Sequence, residues 1–222
     1  MCGRFTLSKS PTAIEKEFSV EISPQIEPQY NIYPTQMVGT ILHNIEKNER
    51  QFRKLRWGLI PSWAKDINIG SKMINARAES VAEKPSFRAA FKRRRCLIIV
   101  DGFYEWQMQG NKKQPYYIRM EDGRPFAFAG LWEHWESPGG EKIYSCTIVT
   151  TEPNELMKSI HERMPVIIAP EDYHIWLDTQ GQDSESIKQL LRPYSAKEMI
   201  AYPVGSLVNN PRYNHADCLM PV

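Results

Sequence analysis

The sequence predicts an α+β fold: a single domain with a large mixed, mainly antiparallel, barrel-like β-sheet flanked by helices. Three observations predict it. Strand-like runs dominate the middle of the chain, at 38–44, 53–60, 96–107, 116–120, 126–136 and 144–151. Several neighbouring runs are joined by short turns, such as Glu121-Asp122-Gly123 and Pro138-Gly139-Gly140, which suit hairpins rather than the long crossovers of parallel sheets. Helix-like segments cluster late, at 154–160, 170–177, 184–191 and 195–200, with one earlier near 86–94.

The remaining elements follow in order. Ser10-Pro11 reads as a helix start, with Ser as N-cap and Pro at the first helical position. Residues 23–36 carry Pro24, Pro28 and Pro34 and read as an extended loop. Residues 61–76 look irregular, and long ordered loops tend to carry function. Ser195-Ala196-Lys197-Glu198 fits a capping box.

The chain has 222 residues, enough for one sizeable core, and one domain over 1–222 is expected. Hydrophobic residues make up 41% and charged residues 24%, the composition of an ordinary globular protein. No apolar run approaches the roughly 20 residues that span a bilayer, and Met1-Cys2-Gly3-Arg4 lacks the apolar stretch of a secretory signal. A cytoplasmic protein is expected, or a nuclear one in a eukaryote, acting as a monomer without membrane contact.

Of the four cysteines, Cys96 and Cys146 lie in apolar strand-like runs and read as buried small hydrophobes. No two share a zinc-like spacing, and the five histidines are scattered, so no metal and no cofactor is expected. Cys2 has no apolar neighbourhood. The first 100 residues carry 17 Lys and Arg against 9 Asp and Glu, and Lys84, Arg88, Lys92, Arg93, Arg94 and Arg95 follow one another without an acid. Such a block suits a phosphate backbone or a solvated helix face.

Removal of Met1, usual before a small second residue, gives Cys2 a free α-amine and a thiol on adjacent carbons. Their reference pKa values are about 8 and about 8.5, so both are available near neutral pH. An aldehyde can condense with the amine to an imine, and the thiol can close a five-membered thiazolidine, an intramolecular and therefore favoured step. Three further segments carry candidate chemistry. Asn75, Arg77 and Glu79 sit at alternate positions and would share a face in an extended stretch, as a site or as a plain polar network. Glu105 follows an apolar run between aromatics, where desolvation would raise its pKa for proton transfer; an exposed strand glutamate is the plainer alternative. His161, between a helix-like stretch and a strand, is a catalytic or an ordering histidine.

Together these segments resemble the SOS-response-associated peptidase (SRAP) family of abasic-site processing proteins. The resemblance rests on Met1-Cys2-Gly3-Arg4-Phe5, Tyr30-Asn31-Ile32-Tyr33-Pro34, the run from Leu55 to Trp63, Asn75-Ala76-Arg77-Ala78-Glu79, the run from Asp101 to Trp106, His161-Glu162-Arg163-Met164-Pro165 and Ser206-Leu207-Val208-Asn209. It implies a protein that cross-links itself to the aldehyde of abasic sites in single-stranded DNA. It implies Cys2 as nucleophile, Asn75 as holder of the amine or thiazolidine, Glu105 as proton carrier, and His161 as aid to sugar ring opening or adduct protonation. It further implies Arg4, Arg77 and Arg163 as phosphate contacts, Trp106 as a base-stacking residue, and Trp63 and Pro34 as further base contacts. Strand cleavage and self-processing are possible extensions of that chemistry. The departures are Glu162, where Asp is also common, and Gly205 before Ser206, where a second Ser is expected; 137–142 and 178–186 read as variable loops. Two other classes compete: a peptidase acting through Cys2, which needs the thiol but not the amine, and a non-covalent single-strand binder using the basic block and aromatics, which needs neither.

Overall fold

The structure, a computed structural model, describes residues 2–22, 26–181 and 184–222. In chain order its strands are β1 (Arg4–Leu7), β2 (Gln29–Ile32), β3 (Met37–Asn44), β4 (Glu49–Trp57), β5 (Asn75–Arg77), β6 (Arg95–Val100), β7 (Gly102–Gln109), β8 (Lys112–Met120), β9 (Phe126–Glu136), β10 (Lys142–Thr151), β11 (Met164–Pro165), β12 (Ile167–Ile168) and β13 (Met199–Pro203). The α-helices are short: α1 (Pro11–Phe18), α2 (Arg88–Arg93), α3 (Tyr173–Leu177) and α4 (Ser184–Gln189).

Five strands close a mixed barrel. The order β10-β4-β3-β6-β9 returns to its start because β9 also pairs with β10. Every pairing around it is antiparallel except that of β10 with β4. Closure removes the free edges that an open sheet would leave. A second, antiparallel sheet runs β13-β8-β7-β1-β2. Phe5 and Phe103 from this sheet pack against Trp57 and Phe128 of the barrel, with ring centroids 4.9 Å and 5.7 Å apart for Phe5–Trp57 and Phe103–Phe128. One core therefore joins the two sheets.

The expected run at 96–107 is two strands in two sheets, β6 and β7. The chain breaks at Asp101, whose carboxylate accepts bonds from the Thr6 hydroxyl and from the Ser8 and Lys9 amides, the last two at 2.6 and 2.9 Å. Gly102 follows because no side chain fits there: an added Cβ would lie 2.1 Å from the Tyr117 hydroxyl oxygen. β6, Arg-Cys-Leu-Ile-Ile-Val, is buried along its whole length, as a barrel wall covered on both faces requires.

Helix expectations fared unevenly. Ser10 caps α1 as read, accepting from the Ala13 amide. At 154–160 only a single 3₁₀ turn forms, Met157–Ser159, with the Asn154 side chain accepting from the Met157 amide. At 195–200 the capping box fails: Ser195 makes no side-chain cap bond, and one 3₁₀ turn, Ala196–Glu198, leads straight into β13. Pairing with β8 outweighs local propensity there. The loop expected over 23–36 contains β2, while 23–25, with Pro24, and Met1 lie outside the described residues. Among the described residues no helix is long and apolar enough to cross a membrane.

Candidate active site

The pairing of β1 with β7 places the N-terminus. Arg4 lies opposite Tyr104 and Phe5 opposite Phe103. Continuing that antiparallel register brings Cys2, just before β1, alongside Glu105 and Trp106. β5 approaches from the barrel side, paired in parallel with β10 so that Asn75 lies opposite Ile148. The Asn75 amide nitrogen donates to the Cys2 carbonyl at 2.9 Å. Its Oδ1 is buried and makes no hydrogen bond among the described residues. His161 arrives on the segment between the 3₁₀ turn and β11, with Nε2 3.9 Å from Glu105 Oε2. Four separate stretches of sequence thus converge on one corner.

The electrostatics of this corner follow from burial. Glu105 is 2% exposed, and desolvation pushes its pKa up to about 7. It is therefore protonated and ionised to similar extents at neutral pH, the condition for moving protons in both directions. The Cys2 thiol is wholly buried and donates weakly to the Arg4 carbonyl at 3.8 Å. Burial, reinforced by the Glu105 charge, pushes its pKa well up, so the sulfur carries its proton at neutral pH. Cys2 lies in no apolar strand, unlike Cys96 and Cys146, yet folding brings it into the main core. Burial lowers the His161 pKa. His161 Nδ1 faces the Arg163 backbone, 3.0 Å from its amide nitrogen and 3.2 Å from its carbonyl oxygen, which fixes the ring with Nε2 on the side of Glu105.

The expected phosphate-binding arginines differ in their engagements. Arg77 is exposed on β5. Arg4 donates at 2.8 Å to Asn31 Oδ1 and to the Val208 carbonyl, and lies over the Tyr33 ring at 5.9 Å. Arg163 donates to both carboxylate oxygens of Glu79 at 2.5 and 3.0 Å and to the Thr150 carbonyl at 2.6 Å. Trp106 is half-buried and donates through Nε1 to Asn209 Oδ1 at 2.8 Å. Trp63 is 59% exposed in the loop after β4, and Pro34 is half-buried just after β2. In the basic block, Lys84, Arg88, Lys92 and Arg93 are exposed. Arg94 pairs with Glu133 at 2.6 Å, and Arg95 is buried, donating to the carbonyls of Trp176, Phe91, Lys92 and Asp178. The block is thus four surface cations and two engaged ones.

Sequence reading gave no role to Asn31 or Asn209. Asn31 is buried and also donates to the carbonyls of Val208, Asn210 and Tyr213. With Arg4 it fastens the C-terminal segment to the N-terminal strand, and that segment in turn holds Trp106 through Asn209. Both residues stood inside quoted motifs, but their partners lie far off in sequence and no local pattern names them.

The comparisons decide the family. The model for the SOS response associated peptidase (SRAP) family matches residues 1–211. This chain belongs to the SRAP family. It is 48% identical to a Bacillus subtilis relative named abasic site processing protein YoqW, over 99% of each chain. It is 32% identical to abasic site processing protein HMCES of Xenopus tropicalis, over 100% of this chain and 78% of that one. A solved structure of a Bacteroides thetaiotaomicron protein superposes with a TM-score of 0.88 at 26% identity over 100% of both chains. The geometry described above is thus that of an SRAP domain. Cys2, the Asn75 amide, the Glu105 carboxyl and the His161 imidazole occupy one corner of it beside arginines and a tryptophan.

Proposed function

We propose that this SRAP protein processes abasic sites in single-stranded DNA by covalent capture. Its nucleophile is Cys2, freed by removal of Met1. The observation that carries the proposal is the convergence of Cys2, Asn75, Glu105 and His161, with Glu105 poised to exchange protons at neutral pH.

The α-amine of Cys2 attacks the aldehyde carbon of the ring-opened sugar. A C–N bond forms, and the carbonyl oxygen leaves as water once Glu105 delivers a proton to it. The thiol then adds to the C=N carbon: a C–S bond forms and the thiol proton passes to nitrogen, closing the thiazolidine. Asn75 holds the nucleophilic residue through its carbonyl, and its unpartnered Oδ1 is an acceptor for the new amine. His161, with Nε2 towards Glu105, assists sugar opening and protonates the adduct on reversal. Arg77 meets phosphate directly, Arg4 and Arg163 border the same path, and Trp106, Trp63 and Pro34 contact bases. The raised pKa of the Cys2 thiol favours amine-first chemistry over a peptidase that needs a ready thiolate. The protein acts as a monomer, in the compartment that holds the DNA.

Intact mass measurement after incubation with an abasic single-stranded oligonucleotide tests this. The expected product is one protein plus one oligonucleotide minus one water, formed by protein that begins at Cys2. Protein that keeps Met1 or an uncleaved N-terminal tag forms none, because an acylated nitrogen cannot give the imine. Equal yields from both would defeat the amine mechanism.

A further inference from the structure

Glu79 occupies the fork of Arg163, and this bears on DNA affinity; the inference rests on the reading that this face meets phosphates. β10 is flanked at Thr150 by two strands, with Arg77 of β5 opposite it on one side and Pro165 of β11 on the other. Glu79 follows β5 and Arg163 precedes β11, so their side chains meet across the end of β10. The Thr150 carbonyl anchors both segments, accepting from the Ala78 amide at 2.8 Å and from Arg163 Nη2 at 2.6 Å. The Glu79 carboxylate takes Arg163 in bidentate fashion. That is the geometry in which a guanidinium also takes two oxygens of a phosphate. The Glu79 side chain is 56% exposed and that of Arg163 only 16%, so the carboxylate is the outer member of the pair. DNA reaching Arg163 meets Glu79 first.

We propose that Glu79 is an intramolecular competitor for phosphate at Arg163. It sets the affinity of this face for DNA that carries no lesion. The carboxylate is the solvent-facing half of the pair, and a phosphate can offer the fork the same two-oxygen geometry, so a phosphodiester arriving from solvent can exchange with it. Each exchange places one carboxylate beside the strand and offsets one phosphate contact. Undamaged single strands are thereby held weakly, and lasting attachment is left to the covalent step at Cys2.

The test uses the full-length protein and a fluorescent single-stranded oligonucleotide without an abasic site, titrated across salt concentrations. Glu79→Gln keeps the size of the side chain and removes its charge. It should bind about threefold to fivefold more tightly than wild type at low salt. The slope of log K against log salt should steepen by about 0.7, one further phosphate neutralised. In an Arg163→Gln background the gain should vanish, since the competitor has nothing to guard. If Arg163→Gln does not fold, Arg163→Lys keeps the charge without the fork and should shrink the gain. Binding by Glu79→Gln equal to or weaker than wild type overturns the proposal. So does a gain of the same size in the Arg163 variants, which reports general charge only. A wild-type protein that neither binds nor cross-links single strands overturns the functional reading itself. A wild type that does both, with no gain from Glu79→Gln, overturns only the competitor.

Discussion

Cys2 and Cys146 are equally buried, and burial raises both thiol pKa values, that of Cys2 well above the ordinary value. Their surroundings differ. Cys146 sits in the middle of β10 in the barrel, opposite Trp132 of β9. Cys2 sits where the second sheet meets the barrel, bonded to the Asn75 amide and beside the Glu105 carboxyl, which in turn faces the His161 imidazole. Burial alone therefore does not separate the thiol proposed to react from the one proposed to be inert. The distinguishing feature is a carboxyl with a pKa of about 7 in the same corner, which the proposed capture needs to expel water as the imine forms.

The largest expected effect is at the two cysteines themselves. Cys2→Ser keeps an α-amine, so a transient imine persists, but sulfur ring closure is lost. The heat-stable adduct on a denaturing gel should disappear while affinity for the oligonucleotide is retained. Cys146→Ala should form adduct at the wild-type rate and lose stability by about 1 kcal/mol, read from denaturant melts. A heat-stable adduct with Cys2→Ser would break the contrast.

Glu105 sharpens it next. Glu105→Gln should slow adduct formation by about 10²-fold if proton transfer is its whole contribution. The same substitution should stabilise the fold in a pH-dependent way. The folded-state pKa is raised to about 7, above the reference value of about 4.3, so the folded state disfavours the ion. Below pH 4 the carboxyl is protonated in both states and costs nothing. Between there and pH 7 the unfolded chain gives up its proton first and stability falls. Above pH 7 the cost is complete, roughly 3 to 4 kcal/mol from the size of the shift. The Gln variant should match wild type at pH 4 and exceed it at pH 8 in urea melts. A variant that gains nothing at pH 8 would mean that Glu105 is better solvated than its burial implies.

How much of this was legible in sequence depends on the range of the interaction. The barrel strands showed themselves as apolar runs, and Ser10-Pro11 marked its helix, because those signals are local. Cys2, Asn75, Glu105 and His161 were legible as a set through motif order, which stands for contacts that spacing alone does not give. The break of 96–107 at Asp101 was not legible, since it depends on Thr6, Ser8 and Tyr117, all distant in sequence. Nor was the division of the basic block. The six cations from Lys84 to Arg95 look alike until Arg94 meets Glu133 and Arg95 turns inward to four carbonyls. Asn31 was hidden for the same reason, since its partner is Arg4, and Glu79, legible as a candidate beside Asn75 and Arg77, gave no sign that its partner is Arg163.

The smallest expected effect lies in that block and asks whether its surface half touches DNA at all. Arg93 ends α2 and is exposed, so a phosphate contact would be electrostatic and screened by salt. Arg93→Ala should make the slope of log K against log salt shallower by about 0.7, one phosphate fewer. Stability should change by less than about 0.5 kcal/mol, because a surface side chain outside any network is removed. Arg95 cannot serve the same test, since its removal strips buried carbonyls of their donor and would report on folding. The measurement is one salt titration on undamaged single strands beside one thermal melt. An unchanged slope would assign the exposed face of α2 to solvent and leave the phosphate contacts to the arginines around Cys2. A slope that changes together with stability would mean that Arg93 supports the end of α2 rather than the DNA.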